Sequence, residues 1–195
     1  MRLFAALLVA AALAATLPAA YAGPTGEPEP ALLARLQKAV ADPAGFDDRY
    51  VAQVWFVDMA ARMQRYVPNA LPDPGQRIEF LRVLHAEARR ADVSPELVLA
   101  VINIESRFER FALSTAGARG YMQIMPFWLK EAGDPGGNLF DLRTNLRMGC
   151  TVLRYYLDRS RGDWVEALAR YNGSYGRADY PWKVLRALNT RWSPG

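Results

Sequence analysis

Apolar residues recur three or four positions apart along most of this 195-residue chain, which is the spacing of one face of an α-helix. Ser, Asp, Pro and Gly interrupt the pattern where helices would begin or end. We find no convincing run of the alternating pattern typical of a β-strand. The sequence therefore predicts an all-α single domain with a helical N-terminal extension. The predicted helices are 31–41, 48–66, 74–91, 95–106, 126–132, 142–159, 164–171 and 181–188.

The predicted helix 95–106 is apolar on nearly every side. Ser94 suits its N-cap, and Pro95 suits the first helical position. A helix without a polar face is typically buried. Glu105 follows about ten residues after the cap, or ~15 Å along the axis, so it should emerge where the helix leaves the core.

A carboxyl group at the mouth of an apolar element is poorly solvated, and this raises its pKa. Glu105 could therefore hold a proton near neutral pH and act as a general acid. The alternative is a structural carboxylate that Arg107 or Arg110 neutralises, since ion pairs at helix ends also shift pKa values. The residue type alone leaves both readings open.

A glycine-rich stretch follows Glu105 within a short window. Gly117 and Gly120 stand three apart, and glycine permits tight turns or close approach of the backbone to a ligand. Gln123 brings an amide that both donates and accepts hydrogen bonds, and Met122 offers an adaptable apolar contact. This combination suits sugars that carry amide groups. The alternative is an ordinary loop with a core methionine.

A third candidate element ends at Asn172-Gly173. Trp164, Leu168 and Tyr171 share one face of the predicted helix 164–171, and such an apolar stripe is typical of a core. We assign Trp164 to the core on this basis. Tyr171 closes the helix beside a turn, so its hydroxyl is expected to reach a cleft.

The N-terminal residues predict export. Arg2 precedes an apolar run, and Ala20-Tyr21-Ala22 resembles a signal-peptidase site, so we expect a signal peptide over residues 1–22 with cleavage after Ala22 and a periplasmic product. Residues 23–73 are predicted to form a disordered leader and a helical extension. A proline-rich loop at 67–75 separates this part from residues 74–195, which carry the motifs.

Charge and cysteine content exclude several classes of function. The formal net charge is +4, and removal of Arg2 with the signal peptide leaves +3, a mild excess that fits either ordinary surface solvation or attraction to an anionic polymer or membrane surface. Nucleic acid is not expected as the partner of an exported chain. Cys150 is the only cysteine and lies at an apolar helical spacing, which predicts a buried free thiol. His85 is the only histidine, so we expect no metal site and no cofactor.

Three motifs stand in order along the chain: Glu105-Ser106, the segment STAGARGYMQIMP at 114–126, and Tyr171-Asn172-Gly173. Together they resemble the motifs of the soluble lytic transglycosylase (SLT) catalytic domain. Members of that family have a goose-type-lysozyme-like fold and cleave the glycan strands of bacterial peptidoglycan. The resemblance covers residues 74–188.

The resemblance implies a role for each matching residue. Glu105 would be the catalytic acid and then the base, and Ser106 would orient the sugar. Substrate would also contact Met122 and Gln123 along the cleft, Tyr171 near the carboxyl group, and Asn172 on the same wall.

The sequence departs from the family pattern at two positions. Tyr121 stands where leucine is common, and Arg170 stands where alanine is usual. The first should alter only packing, whereas the second could place a charge near Tyr171.

The resemblance also implies a mechanism with a single acid. Ordinary glycosidases use two carboxylates, but Glu109, Asp134 and Asp141 stand in no evident motif with Glu105. The muramyl C6 hydroxyl would then be the nucleophile, giving a 1,6-anhydromuramyl end without water, metal or cofactor.

Two alternatives stay open. One is a lysozyme-type hydrolase, and the other is a non-catalytic peptidoglycan-binding accessory of an envelope-spanning machine. Peptidoglycan strands are the expected partner in each case. A secretion or pilus machine is a further candidate partner, and a monomer is expected.

Overall fold

The computed structural model describes residues 30–41 and 49–193. The predicted signal peptide and nearly all of the predicted leader lie outside these residues. The described elements are α1 (Pro30–Ala41), α2 (Arg49–Tyr66), α3 (Pro74–Arg90), α4 (Pro95–Glu105), α5 (Phe127–Glu131), α6 (Leu142–Arg159), α7 (Trp164–Tyr171), α8 (Asp179–Ala187) and a π-helical turn, Leu188–Trp192.

The all-α prediction is confirmed. Within the described part of the chain, β-pairing is limited to two isolated bridges, Leu113 with Arg119 and Arg119 with Ile124. None of the described helices is both long and apolar enough to cross a membrane.

Side-chain caps fix where four helices begin. Ser94 accepts a hydrogen bond from the Leu97 backbone N–H at 3.2 Å, and Asp73, Asp141 and Asp163 cap α3, α6 and α7 in the same way. These caps satisfy N–H groups that the first helical turn leaves without partners. The predicted helices 142–159 and 164–171 agree with the structure at both ends because the signals that define them are local.

Helix α4 lies at the centre of the molecule. Its residues from Leu97 to Ile102 are at most 1% exposed, and α3, α8 and the π-helical turn pack around it. Helix α6 packs against α1, α3 and α7. The burial predicted for the apolar helix is confirmed. Glu105 is the last residue of α4.

Helix α2 packs against α3 and the π-helical turn, and its Met59 and Met63 are each 1% exposed. The described part of the N-terminal extension therefore shares a core with the motif-bearing helices.

The assignment of Trp164 to the core is wrong. Its side chain is 38% exposed, whereas Leu168 and Tyr171 on the same face are buried. Trp164 opens α7 directly after three exposed residues, so the first turn begins at the surface and only the following turns reach the core.

The last helix is also longer than predicted. Helix α8 begins two residues before the predicted start at 181, and the chain continues through the π-helical turn to Trp192, which is fully buried.

Candidate active site

A cleft of about 540 Å³ opens at the C-terminal end of α4, a size typical of ligand pockets. Glu105 lies at the end of α4, and Tyr171 and Asn172 lie at the end of α7. The loop between α4 and α5 supplies most of the remaining wall. The residues that line the cleft are Ile104, Glu105, Ser106, Arg107, Glu109, Ala112, Leu113, Ser114, Thr115, Ala118, Gln123, Ile124, Trp128, Val152, Tyr171 and Asn172.

Burial raises the pKa of Glu105 from 4.5 to about 7. The Tyr180 and Asn172 side chains act in the opposite direction by favouring the charged carboxylate, but they do not offset the loss of solvation. Glu105 is partly exposed and lines the cleft. Glu105 can therefore hold or release a proton near neutral pH.

Neither candidate arginine forms an ion pair with Glu105 in the described structure. Arg107 is exposed at the rim of the cleft, and Arg110 donates through Nε to the Phe140 carbonyl oxygen at 2.9 Å. The structural ion pair considered for Glu105 is not formed. The side chains that favour its charged form, Tyr180 and Asn172, are neutral.

The turn after α4 has an unusual backbone. Ser106 caps the helix and donates through Oγ to the Ile102 carbonyl oxygen at 3.3 Å. Arg107 and Phe108 then have φ values of +52° and +65°, which non-glycine residues rarely adopt. The Phe108 ring lies 5.8 Å from Phe80 and 5.5 Å from Trp192 (centroid to centroid), so core packing holds this turn in place.

The glycine-rich loop is tied to α6 by Asn145, which is fully buried. Its Oδ1 accepts from the Met122 backbone N–H at 2.8 Å, and its Nδ2 donates to two loop carbonyls. Gly120 has φ +74°, and a Cβ there would lie 2.4 Å from Asn145 Nδ2. Glycine is therefore required by both the backbone conformation and the close approach of Asn145.

Gln123 is placed at the cleft wall with φ +51°. Its amide nitrogen donates to the carbonyl oxygens of Ala112 and Gly120, at 3.2 and 2.9 Å. These two bonds fix the orientation of the side chain before any ligand is present.

Tyr171 and Met122 meet beneath the cleft. The buried Tyr171 hydroxyl donates to the Met122 carbonyl oxygen at 2.8 Å. Burial, and then the charge of Glu105, raise the pKa of Tyr171 well above its usual value, so the hydroxyl stays neutral. The Met122 side chain is fully buried and is not part of the cleft surface, so the structure does not place it where it could contact a sugar.

The two departures from the family pattern have clear structural settings. The Tyr121 ring is buried and packs 5.0 Å from the Phe80 ring, as expected for a packing change. The Arg170 guanidinium pairs with Glu166 at 2.8 Å and lies 4.0 Å from the centre of the Tyr175 ring. Its charge is therefore neutralised by Glu166 and engaged by Tyr175, and Arg170 does not line the cleft.

Three other acids were candidates for a second carboxylate. Asp141 caps α6 and Asp134 lies outside the cleft lining. Glu109 is exposed, follows the end of α4 and also lines the cleft. Glu105 and Glu109 are thus the carboxylates that line the cleft within the described residues.

Cys150 is fully buried, as predicted, and burial raises the pKa of its thiol. His85 is half-buried against the rings of Trp55 and Phe56, and burial followed by the charge of Arg89 lowers its pKa. No cluster of three potential metal ligands occurs within residues 30–41 and 49–193.

Two residues at the site, Tyr180 and Asn145, were not among the predicted site residues. Tyr180, Val184 and Ala187 lie four and then three positions apart and are all buried, so the periodicity of α8 could have shown that Tyr180 faces inward. No local pattern indicates that it contacts Glu105. Asn145 likewise stands in a helix with no signal that it bridges to a loop.

The chain belongs to the transglycosylase SLT domain family, whose model matches residues 82–184. That segment contains all three motifs and the cleft residues of α4, α7 and the intervening loop.

Three curated relatives agree with this placement. A transglycosylase of Enterobacteria phage PRD1 is 32% identical over 119 residues, which cover 57% of this chain and 44% of the phage protein. Membrane-bound lytic murein transglycosylase D of Escherichia coli (strain K12) is 29% identical over 139 residues, covering 68% and 29%. Soluble lytic murein transglycosylase of Salmonella typhimurium (strain LT2) is 31% identical over 98 residues, covering 46% and 15%. The chain thus spans less than half the length of each.

Proposed function

We propose that this protein is a peptidoglycan lytic transglycosylase that cleaves the β-1,4 bond between N-acetylmuramic acid and N-acetylglucosamine. The observation that carries the proposal is the Glu105 side chain in the wall of an open cleft, with a pKa that burial raises to about 7. Membership of the SLT domain family and similarity to lytic murein transglycosylases support the same reaction.

Glu105 first acts as the general acid. Its proton passes to the glycosidic oxygen as the bond from that oxygen to C1 of the muramyl residue breaks. A pKa near 7 suits this step because a substantial fraction of the carboxyl group is protonated at neutral pH. The cleavage leaves Glu105 as a carboxylate and the N-acetylglucosamine unit with a free hydroxyl.

Glu105 then acts as the base. The muramyl C6 oxygen forms a bond to C1, and its hydroxyl proton passes to the Glu105 carboxylate, which returns to its starting state. No water is consumed, and the product carries a 1,6-anhydromuramyl end. The Tyr180 and Asn172 side chains, which favour the charged form of Glu105, stabilise the carboxylate between the two steps.

The remaining site residues orient the sugar. We assign contact with substrate to Ser106, Gln123 and Asn172, which line the cleft, and the support of the loop to Tyr171 through the Met122 carbonyl oxygen. We also propose that the protein acts in the cell envelope, in the periplasm, where peptidoglycan lies.

A lysozyme-type hydrolase is a second candidate because Glu109 also lines the cleft and could position a water molecule. Mass spectrometry of products from purified peptidoglycan separates the two reactions. Anhydromuropeptides are lighter by one water, about 18 mass units, than the reducing products of the two-carboxylate hydrolytic scheme. Anhydro products from the parent and from Glu109→Gln are expected, and reducing ends would assign the protein to the hydrolases.

A further inference from the structure

The wall of the cleft contains a tight turn that backbone hydrogen bonds close. Arg119 and Ile124 form a reciprocal pair with N···O distances of 2.9 and 3.0 Å, and residues 120–123 form the turn between them. Gly120 and Gln123 both have positive φ values, +74° and +51°. Glycine adopts this conformation freely, whereas glutamine is strained in it. Such strain persists where neighbouring groups fix the backbone, and it is concentrated at functional sites.

Met122 is the residue of this turn that the neighbouring helices hold. Its backbone N–H donates to Oδ1 of Asn145 in α6 at 2.8 Å, and its carbonyl oxygen accepts from the Tyr171 hydroxyl at 2.8 Å. Its side chain packs against Gly149, where a Cβ would lie 2.3 Å from the Met122 sulfur atom. Met122 is therefore fixed on three sides, and Gln123 follows it directly in the chain.

The Asn145 side chain joins the start and the middle of the turn to α6. Its Nδ2 donates to the Arg119 and Leu139 carbonyl oxygens at 2.9 and 2.8 Å, while its Oδ1 accepts from Met122. The residue is 0% exposed. A replacement without polar atoms would therefore leave the Met122 N–H buried without this acceptor, which is unfavourable.

Gln123 has one polar group left for a ligand in the cleft. Its Nε2 donates to the carbonyl oxygens of Ala112 and Gly120, so both amide hydrogens are used within the loop. The remaining polar atom is Oε1, which can accept a hydrogen bond but cannot donate one. The matching groups of a glycan are its hydroxyl and acetamido N–H groups. Their hydrogen bond to Oε1 depends on where the turn holds Gln123.

We propose that Asn145 is a positioning residue for glycan binding and cleavage. By holding the Met122 backbone, it keeps Gln123 in the strained conformation in which Oε1 accepts a hydrogen bond from the sugar. Asn145 is fully buried and does not line the cleft, so its effect passes through Gln123. This inference rests on the proposed function, because the glycan strand in the cleft is the ligand of Gln123.

A double-mutant cycle tests the link between Asn145 and Gln123. Asn145→Leu keeps the approximate size of the side chain and removes its polar atoms, and Gln123→Ala removes the proposed ligand contact. Calorimetric titration with a soluble N-acetylglucosamine tetramer measures Kd for the parent, both single variants and the double variant. We expect Asn145→Leu to raise Kd about fivefold in the parent background, the usual effect of one lost hydrogen bond, and less than about twofold in the Gln123→Ala background.

The same cycle is measured as kcat/KM on purified peptidoglycan. Asn145→Leu should lower kcat/KM by on the order of tenfold or more, because a displacement of about 1 Å in a positioning group can cost ~10² in rate. The further loss in the Gln123→Ala background should be less than about threefold. For either measurement, equal fold-changes in the two backgrounds or parental values in Asn145→Leu would overturn the inference.

Thr151→Val is the matched control for a weakened α6. Thr151 is buried on the same helix, donates to the Arg147 carbonyl oxygen at 2.7 Å and accepts from Arg90 at 2.9 Å, so its hydrogen bonds lie outside the turn. The substitution should lower the melting temperature but leave Kd and kcat/KM within about twofold of the parental values. A change as large as that of Asn145→Leu would refute a specific role for Asn145.

Gly149→Ala disturbs the same anchor and serves if Asn145→Leu does not fold. The added Cβ would lie 2.3 Å from the Met122 sulfur atom, so Met122 must shift. Kd should rise at least about threefold in the parent background and less than about twofold in the Gln123→Ala background. A parental Kd in folded Gly149→Ala protein would contradict the proposed link between Met122 and Gln123.

Binding and cleavage together separate this inference from the proposed function. A coupled change in Kd supports the role of Asn145 even if the parent does not cleave peptidoglycan. Cleavage with an uncoupled Kd retains the proposed function and refutes this inference. If the parent cleaves peptidoglycan but does not bind the tetramer, the kcat/KM cycle decides. A parent that neither binds the tetramer nor cleaves peptidoglycan would refute both proposals.

Discussion

Two glutamates, Glu87 in α3 and Glu105 at the end of α4, have opposite surroundings. Glu87 lies between α3 and α6 with a side chain that is 0% exposed, and its oxygens contact the guanidinium groups of Arg90, Arg143 and Arg147 at 2.8, 3.1 and 3.0 Å. Glu105 is held by the neutral donors Tyr180 and Asn172. The Glu87 carboxylate joins α3 to α6 through its ion pairs, whereas the raised pKa of Glu105 lets that group change its protonation state near neutral pH.

The two glutamates are also expected to differ in their effects, Glu87 on folding stability and Glu105 on catalysis. Removal of one partner from a buried ion cluster leaves uncompensated charge, which is strongly destabilising. A buried acid without a cationic partner destabilises the folded protein when it is ionised. Groups of this kind are concentrated at functional sites. The following experiments test this division of roles.

The largest expected effect is on turnover in Glu105→Gln. The amide keeps the shape of the side chain but cannot donate and recover a proton, so the rate should fall by 10²- to 10⁴-fold or more, on the order expected for general acid-base catalysis. Release of soluble muropeptides from purified peptidoglycan measures the rate. Glu109→Gln is the matched control and should keep most of the parental rate. Parental turnover in Glu105→Gln would refute its role.

Glu87→Gln should affect stability instead. Three arginines would face one neutral amide, so we expect a loss of about 3–5 kcal/mol in the free energy of unfolding, measured by urea denaturation. Asp58→Asn breaks a partly exposed pair with Arg62 and should cost less than about 1 kcal/mol. Turnover per folded molecule should stay near the parental value in both. A specific loss of turnover in a folded Glu87→Gln protein would break the comparison.

The pH dependence of stability gives a third test. The folded-state pKa of Glu105, about 7, exceeds the ordinary value of 4.5, so the folded protein retains the proton after the unfolded chain has lost it. The contribution of Glu105 to stability therefore falls as pH rises from 4.5 to about 7 and is constant above that range.

Glu105→Gln removes this dependence. The difference in unfolding free energy between the variant and the parent should therefore change with pH. It should shift in favour of the variant by on the order of 3 kcal/mol between pH 4 and pH 8. Urea midpoints for parent and variant across this range measure the gain. A difference that does not change with pH would mean that burial does not raise the pKa of Glu105.

Tyr180→Phe should produce a smaller change centred on Glu105. The hydroxyl favours the charged carboxylate, so its removal should raise the pKa of Glu105 further and move the alkaline limb of the pH–rate profile to higher pH. Stability should change by no more than about 1 kcal/mol. An alkaline limb that stays at the parental pH would show that Tyr180 only packs against the site.

Tyr171→Phe tests the second tyrosine of the site. It removes the hydrogen bond that the Tyr171 hydroxyl donates to the Met122 carbonyl oxygen. Loss of this bond should lower stability by about 1 kcal/mol and lower turnover by loosening the loop. The alkaline limb should move less than in Tyr180→Phe. Melting temperature and the pH–rate profile measure the two effects, and parental turnover would make Tyr171 a purely structural residue.

Much of the fold could be predicted from the sequence because its signals act over a few residues. Ser94, Asp141 and Asp163 begin helices by accepting hydrogen bonds from the next turn, and the apolar run after Pro95 requires burial whatever packs against it. The same local reasoning places Glu105 at the end of a buried helix with a raised pKa.

The partners of the two glutamates were decided by tertiary structure. Tyr180 lies 75 positions after Glu105 in the chain, and Arg143 and Arg147 are separated from Glu87 by 56 and 60 positions. Helical periodicity indicates which face of a helix is buried, but not which side chain of another helix it meets. Contacts between distant residues depend on how α3, α4, α6 and α8 pack. This packing places Glu87 among three arginines and Glu105 beside the neutral side chains of Tyr180 and Asn172.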